Sequence, residues 1–253
     1  PGVKLESPAP IFTLSDEGKT TTSWNVTLTN TALLATNASV TVTSVTRITD
    51  GVLMPWYVSI GEGSYSLSGS GHVDLSATMV HPELPTPGVY IVSILGTDDD
   101  NSIQYPYDLQ FVVPILGAVR FESAYTTIPI DPRTGSSIDF IFHNDGNGDV
   151  GYDLFLLSPV GWSSGFDDLS SEGGASSGST GLILENSMRQ LSITFTPPLV
   201  MLKAGAEYSA TFRAITQTEN PQTFDFEIPL VVMEIKQIDI YMSTTIGEIT
   251  PGT

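Results

Sequence analysis

Apolar and polar residues alternate over short spans along most of the chain. In Trp24-Asn25-Val26-Thr27-Leu28 every second side chain falls on one face, and residues 39–42 and Tyr90-Ile91-Val92-Ser93-Ile94 repeat the arrangement. The same period returns in Ile138-Asp139-Phe140-Ile141-Phe142, Leu191-Ser192-Ile193-Thr194-Phe195 and Phe224-Asp225-Phe226-Glu227-Ile228. A period of two marks a strand with one face in a core and one in water. Gly, Pro, Asn and Asp clusters interrupt these runs about every 8–15 residues, as turns require. No segment sustains a 3.6-residue period, so the prediction is an all-β chain of short strands. Two Gly/Ser-rich stretches, 61–71 and 170–181, read as mobile loops.

The pattern repeats on a larger scale. Val3-Lys4-Leu5-Glu6-Ser7 returns as Val119-Arg120-Phe121-Glu122-Ser123, an offset of 119 − 3 = 116. Asn30 and Asn144 end matching strands, and Trp56 and Trp162 stand in matching turns. Leu84-Pro85-Thr86-Pro87-Gly88-Val89-Tyr90 corresponds to Leu202-Lys203-Ala204-Gly205-Ala206-Glu207-Tyr208. Leu109-Gln110-Phe111-Val112-Val113 corresponds to Ile228-Pro229-Leu230-Val231-Val232. A third start follows at Ile238-Asp239-Ile240, with Thr244-Thr245-Ile246 echoing Thr126-Thr127-Ile128. Seven or so short strands in each repeat of about 117 residues fit an immunoglobulin-like sandwich. The expected organisation is two tandem immunoglobulin-like β-sandwiches, 1–116 and 117–235. Residues 236–253 would be the first strand of a third module or a linker, so the chain reads as a stretch of a tandem array. Short linkers, 114–118 and 233–237, leave little slack between modules.

Composition narrows the function. Nine Lys and Arg against 28 Asp and Glu give a net charge of −19, and 57 positions are Ser or Thr. Such a surface repels phosphate, which excludes non-specific nucleic-acid binding and docking on anionic membranes. At 40% hydrophobic the chain has enough apolar side chains for a core. No run of about 18 apolar residues is present to span a bilayer, and no signal peptide is visible at Pro1-Gly2-Val3-Lys4. Zero Cys removes disulfides, thiolate zinc sites and thiol catalysis together. Asn25-Val26-Thr27 and Asn37-Ala38-Ser39 are glycosylation triplets, with Asn25 and Asn37 as acceptors in an exported protein.

Signals for chemistry are sparse. Gly161-Trp162-Ser163-Ser164-Gly165 matches the nucleophile-elbow pattern, but no helix is predicted after it and no His lies beyond His143. A second match, Gly174-Ala175-Ser176-Ser177-Gly178, shows how readily this composition generates the pattern. His72, His81 and His143 fall at unrelated module positions and read as surface or strand-edge residues. Trp24 alternates with Val26 and Leu28 and reads as core. Trp56 and Trp162 read as packing anchors, with a sugar-stacking platform as the alternative. Calcium is the candidate ion, although no cofactor is required. Asp145, Asn147 and Asp149 alternate oxygen donors in one turn, and Asp98, Asp99 and Asp100 crowd three carboxylates into one hairpin. Asp167-Asp168 with Glu172 forms a weaker cluster. The same residues are what turns need in any case, and the matching turn Asn30-Thr31-Ala32 holds no acid.

Pro55-Trp56, Pro87-Gly88-Val89-Tyr90 and Val112-Val113 resemble the extracellular immunoglobulin-like or fibronectin-III-like modules of archaeal and bacterial surface proteins and secreted hydrolases. His143-Asn144-Asp145-Gly146-Asn147-Gly148-Asp149 is similar to the branch whose second strand ends in Asn-x-Gly. Tyr90 and Tyr208 resemble the tyrosine corner of such domains, although Gly-x-Tyr in the first module becomes Gly-x-x-Tyr in the second. The resemblance implies a structural role at the cell surface, as a surface-layer, stalk or fibre building block. Its partners would be neighbouring modules or copies of itself. The alternatives are accessory substrate- or carbohydrate-binding domains of a secreted hydrolase, or an adhesin. An enzyme in its own right is not expected.

Overall fold

The computed structural model describes residues 2–14, 20–61, 63–169 and 175–235; the expected third-module strand lies outside them. The first half holds β1 (Val3–Glu6), β2 (Ile11–Thr13), β3 (Thr21–Asn30), β4 (Thr36–Arg47), β5 (Tyr57–Ile60), β6 (Ser64–Leu67), β7 (His72–Val80), β8 (Gly88–Asp98) and β9 (Ile103–Val113). The second half holds β10 (Val119–Ser123), β11 (Ile128–Ile130), β12 (Ser136–Asn144), β13 (Val150–Leu157), β14 (Ser163–Phe166), β15 (Ser177–Ile183), β16 (Met188–Thr196), β17 (Glu207–Thr216) and β18 (Thr223–Val232). No helix occurs among the described residues.

Each half pairs a four-stranded with a five-stranded sheet. The orders are β1-β3-β7-β5 with β2-β9-β8-β4-β6, and β10-β12-β16-β14 with β11-β18-β17-β13-β15. Every strand of the second half therefore occupies the place of the strand nine before it, and both units are immunoglobulin-like sandwiches. The opening strand of each is divided between its two sheets. β1 runs antiparallel to β3, whereas β2 runs parallel to β9, and β10 and β11 repeat this with β12 and β18.

Nine strands per unit exceed the seven expected, and the extra ones explain a correction. Both Gly/Ser-rich stretches read as loops enter strands: β6 lies within the first and pairs with β4, and β15 begins in the second, runs on to Ile183 and pairs with β13. These are edge strands with one flank in solvent, so few of their side chains enter the core. In β6 only Leu67 is buried, which leaves no hydrophobic alternation for a sequence pattern to register.

Alternation in the long strands becomes two separate cores. Tyr90, Val92 and Ile94 of β8 point inward with Leu109, Phe111 and Val113 of β9. Trp24 stacks on Phe12 at 4.8 Å, and Phe12 touches Phe111 at 5.0 Å. In the second unit Phe121 stacks on Phe140 at 4.6 Å and on Phe212 at 4.3 Å, and Phe142 meets Tyr152 edge-on at 4.9 Å. Such ring pairs add about 0.5–1.5 kcal/mol each beyond the area they bury.

A buried asparagine closes one end of each sandwich, at the end of β3 and of β12. The Asn30 carboxamide donates to the Leu34 and Ser68 carbonyls at 2.8 and 3.0 Å and accepts from the Ala32 N–H at 2.8 Å. The Asn144 carboxamide donates to the carbonyls of Gly148, Ile183 and Leu184 at 2.9, 3.1 and 3.2 Å. Its oxygen accepts from the Gly146 N–H at 3.2 Å and from the Tyr152 hydroxyl at 2.9 Å. Both side chains are fully buried, where lost hydrogen bonds are not replaced by water. Replacing Asn144 with Ala orphans several of these groups and is expected to cost the second sandwich about 3 kcal/mol. Urea unfolding followed in that unit should show a lower midpoint with an unchanged slope.

Candidate functional site

The most elaborate polar arrangement lies where the two sandwiches meet. Residues 114–118 carry the chain from β9 into β10, and Leu116 is buried against the first core. The loop after Asn144 presses onto this linker. Asn147 is 1% exposed. Its Oδ1 accepts the Leu116 N–H at 2.7 Å, and its Nδ2 donates to the Pro85 and Pro114 carbonyls at 2.8 and 3.1 Å. Its own N–H bonds the Leu116 carbonyl at 3.2 Å, and the Asp145 N–H bonds the Ala118 carbonyl at 2.8 Å. On the other side the Gly117 N–H bonds Gln222 Oε1. The flanking glycines lie in close approach to the linker and the first unit, Gly146 the tighter of the two. A Cβ at Gly146 would lie 2.6 Å from the Leu116 carbonyl oxygen, and one at Gly148 would lie 3.0 Å from Pro87 Cγ.

This placement decides what the acidic turn does. Asp145 Oδ2 accepts from Arg120 Nε at 3.0 Å, and Asp149 Oδ1 accepts the Glu185 N–H at 2.8 Å. Asn147 faces the preceding sandwich. The three candidate calcium ligands therefore address three different partners.

The acidic hairpin between β8 and β9 is likewise engaged from within. Asp98 Oδ1 accepts from the Thr36 hydroxyl at 2.8 Å and from the Asn101 N–H at 3.2 Å, while its Oδ2 accepts from Asn101 Nδ2 at 2.9 Å. Asp100 accepts from the Asn37 N–H at 2.8 Å, Asn37 Nδ2 at 3.1 Å and the Thr36 hydroxyl at 3.2 Å. Asp99 turns to the other face and accepts from the hydroxyls of Ser39 and Ser64 at 2.7 and 2.6 Å. The Asn101 and Thr36 side chains hold the Asp98 carboxyl below the usual range, and the Asn37 N–H does the same for Asp100. These donors tie the hairpin to the start of β4. Asp167 is similarly surrounded by the hydroxyls of Ser137, Ser192 and Thr194, the closest at 2.8 Å. Glu172 lies outside the described residues. Among the described residues no three His, Asp or Glu side chains gather as a metal-binding group.

The remaining candidates separate cleanly. Tyr90 forms the corner bond, its hydroxyl donating to the Thr86 carbonyl at 2.6 Å, and burial raises its phenol pKa. Tyr208 occupies the same strand position but is half-buried. Its ring leans on Trp162 at 4.9 Å, and no corner bond is made among the described residues. Trp24, Trp56 and Trp162 are all buried. His72 is exposed, and His143 sits beside Arg120 and Glu122. His81 departs from the surface reading. It is buried between Trp56 and Phe111, with ring centroids 5.9 and 5.8 Å away. Its Nδ1 lies 2.7 Å from the Pro82 carbonyl, which can only accept, so that nitrogen donates, and Nε2 lies 3.0 Å from the Thr22 hydroxyl. The elbow-like Ser163 opens β14, and Ser164 bonds the Ser158 hydroxyl at 2.6 Å. Asn25 is exposed on β3, whereas the Asn37 amide nitrogen is held by Asp100.

No protein-family model matches the chain, and no curated protein matches its sequence. Solved structures resemble it distantly. A family 123 glycoside hydrolase from Clostridium perfringens is 12% identical over 44% of this chain and 27% of that one, with a TM-score of 0.35; the chain thus spans about a quarter of that hydrolase. The CupB2 chaperone of Pseudomonas aeruginosa is 12% identical over 88% of this chain and 98% of its own, with a TM-score of 0.29. Cadherin domains 3–6 of protocadherin gamma B2 are 14% identical over 90% and 47%, with a TM-score of 0.37.

Two outcomes follow from the side-chain geometry. Tyr90→Phe is expected to destabilise the first sandwich by about 1 kcal/mol and Tyr208→Phe to leave the second nearly unchanged; denaturant melts of the two variants check this. Because the Asp98 and Asp100 carboxyls are more acidic folded than unfolded, their contribution is complete above the ordinary carboxyl value of 3.8. It is lost as pH falls through their lowered folded values. An Asp98→Asn, Asp100→Asn double variant should lose stability less steeply on acidification below pH 3.8 than the parent, read by thermal melts.

Proposed function

We propose that this chain is a structural segment of an extracellular cell-surface protein, a stalk, fibre or surface-layer building block in which immunoglobulin-like modules follow one another. The observation that carries the reading is the joint around Asn147. Opening it would strand the Leu116 N–H and the Pro85 and Pro114 carbonyls, so the linker acts as a stiff coupling between two struts. The acidic, hydroxyl-rich surface supports the reading, since strong like charge keeps extended assemblies soluble and draws cations around them. The exposed Asn25 within a glycosylation triplet fits export. No helix among the described residues is long and apolar enough to cross a membrane. The carbohydrate-binding alternative would have to build its platform from rings other than tryptophan, because all three tryptophans are buried.

Small-angle scattering of the chain at high dilution is expected to give an elongated two-module particle with one preferred inter-module arrangement. Asn147→Ala should broaden the distance distribution and lower the coupling between the modules' melting transitions by about 2 kcal/mol. A compact globule, or a parent chain as flexible as the variant, would refute the strut.

A further inference from the structure

Two requirements of the joint meet in one dipeptide. At its centre the joint presents an N–H on one side and two carbonyls on the other, so the side chain there must both accept and donate. Asn147 does both, toward Leu116, Pro85 and Pro114. The next position passes so near Pro87 that an added Cβ would lie 3.0 Å from its Cγ, and glycine stands there. Of the eight asparagines in the sequence, Asn147 alone is followed by Gly. That order of residues carries a reactivity of its own. The backbone nitrogen after an asparagine can attack the side-chain amide through a five-membered ring, and a glycine, having no Cβ, hinders the approach least.

The closed joint holds this reaction back. Nδ2 is the nitrogen that must leave, and the Pro85 and Pro114 carbonyls hold it at 2.8 and 3.1 Å. Oδ1 is held by the Leu116 N–H at 2.7 Å, and the whole residue is 1% exposed. Ring closure therefore waits on local opening of the contact. Resting on the stiff-coupling reading of the joint, we infer that Asn147 is a modification site through which the joint is released irreversibly. When the joint opens, the Gly148 nitrogen bonds to Asn147 Cγ, and the Cγ–Nδ2 bond breaks. The departing nitrogen takes up the proton that Gly148 gives up and leaves as ammonia. Water then opens the cyclic imide at either carbonyl, leaving aspartate or isoaspartate at position 147. Neither product can restore the contact. A carboxylate sets oxygens against the Pro85 and Pro114 carbonyls, acceptor facing acceptor, with a charge at a buried place. An isoaspartyl link lengthens the backbone by one methylene just where Gly148 fits against Pro87. A stiff coupling thus becomes a hinge, and the change records that the joint has opened.

The test uses the full chain, kept folded in mildly alkaline buffer and, in parallel, unfolded in concentrated urea. Peptide mass mapping reads the amide-to-acid mass gain at position 147 and separates aspartate from isoaspartate. Conversion is expected to be at least tenfold slower in the folded chain. Low urea should speed it with a slope shallower than that of global unfolding, because freeing the joint exposes less surface than unfolding a sandwich. Asn147→Asp should broaden the scattering distance distribution as much as Asn147→Ala does, with the melting of the separate sandwiches retained. Equal rates in the two states overturn the inference, as does a folded chain in which Asn147 never converts. So does a urea slope equal to that of global unfolding, or an Asn147→Asp chain as stiff as the parent. Scattering of the unconverted parent is recorded first. A stiff parent with no conversion sinks the modification alone, whereas a flexible parent sinks the strut reading.

Discussion

The carboxamides of Asn30 and Asn144 set the geometry on which the rest of the molecule depends. Each lies at the end of a central strand, where the chain must turn away and leaves carbonyls that no neighbouring strand can bond. A side chain with two donors and an acceptor, buried at that point, ties the turn to the adjacent edge-strand loop and fixes its shape. Because the Asn144 turn is fixed, Asn147 projects at a set position and can meet Pro85, Pro114 and Leu116. The joint is thus built on the closure of the second sandwich, and bending it would break bonds in both.

A second constraint follows from the shortage of Lys and Arg. With nine cations for 28 acids, most carboxylates cannot find an ionic partner. Strand hydroxyls take that place. Thr27 donates to Asp74, Ser93 to Asp108, Ser209 to Glu227, and three hydroxyls converge on Asp167. Such cross-strand pairs stabilise neighbouring strands without a salt-sensitive ion pair. The abundance of Ser and Thr is therefore functional in the fold: these residues support an acidic surface on a sheet protein. The same economy accounts for the acidic hairpin, whose oxygens anchor it to β4.

Much of the architecture was legible because period-two alternation and an internal repeat are strong signals. Both report burial on one face of a strand, and each module repeats the report independently. The long strands, the matched positions of Asn30 and Asn144, and the core tryptophans all rest on that signal. The edge strands β6 and β15 did not show, since a strand with solvent on one flank need not alternate. His81 was missed for a related reason: a lone polar residue at a strand end looks exposed until its aromatic neighbours are in place.

The acidic turns mark the limit. Asp, Asn and Gly at close spacing serve a cation, a turn or a close contact equally well, and residue type alone cannot choose among them. The sequence by itself determined the strand faces, the two-module repeat and the residues available to each turn, because these depend on local period and composition. Only the tertiary structure decided that Asn147 faces a neighbouring module and that Tyr90 but not Tyr208 closes a corner. Those outcomes depend on which distant segments share one end of a sandwich, and strand pairing across scores of residues sets that.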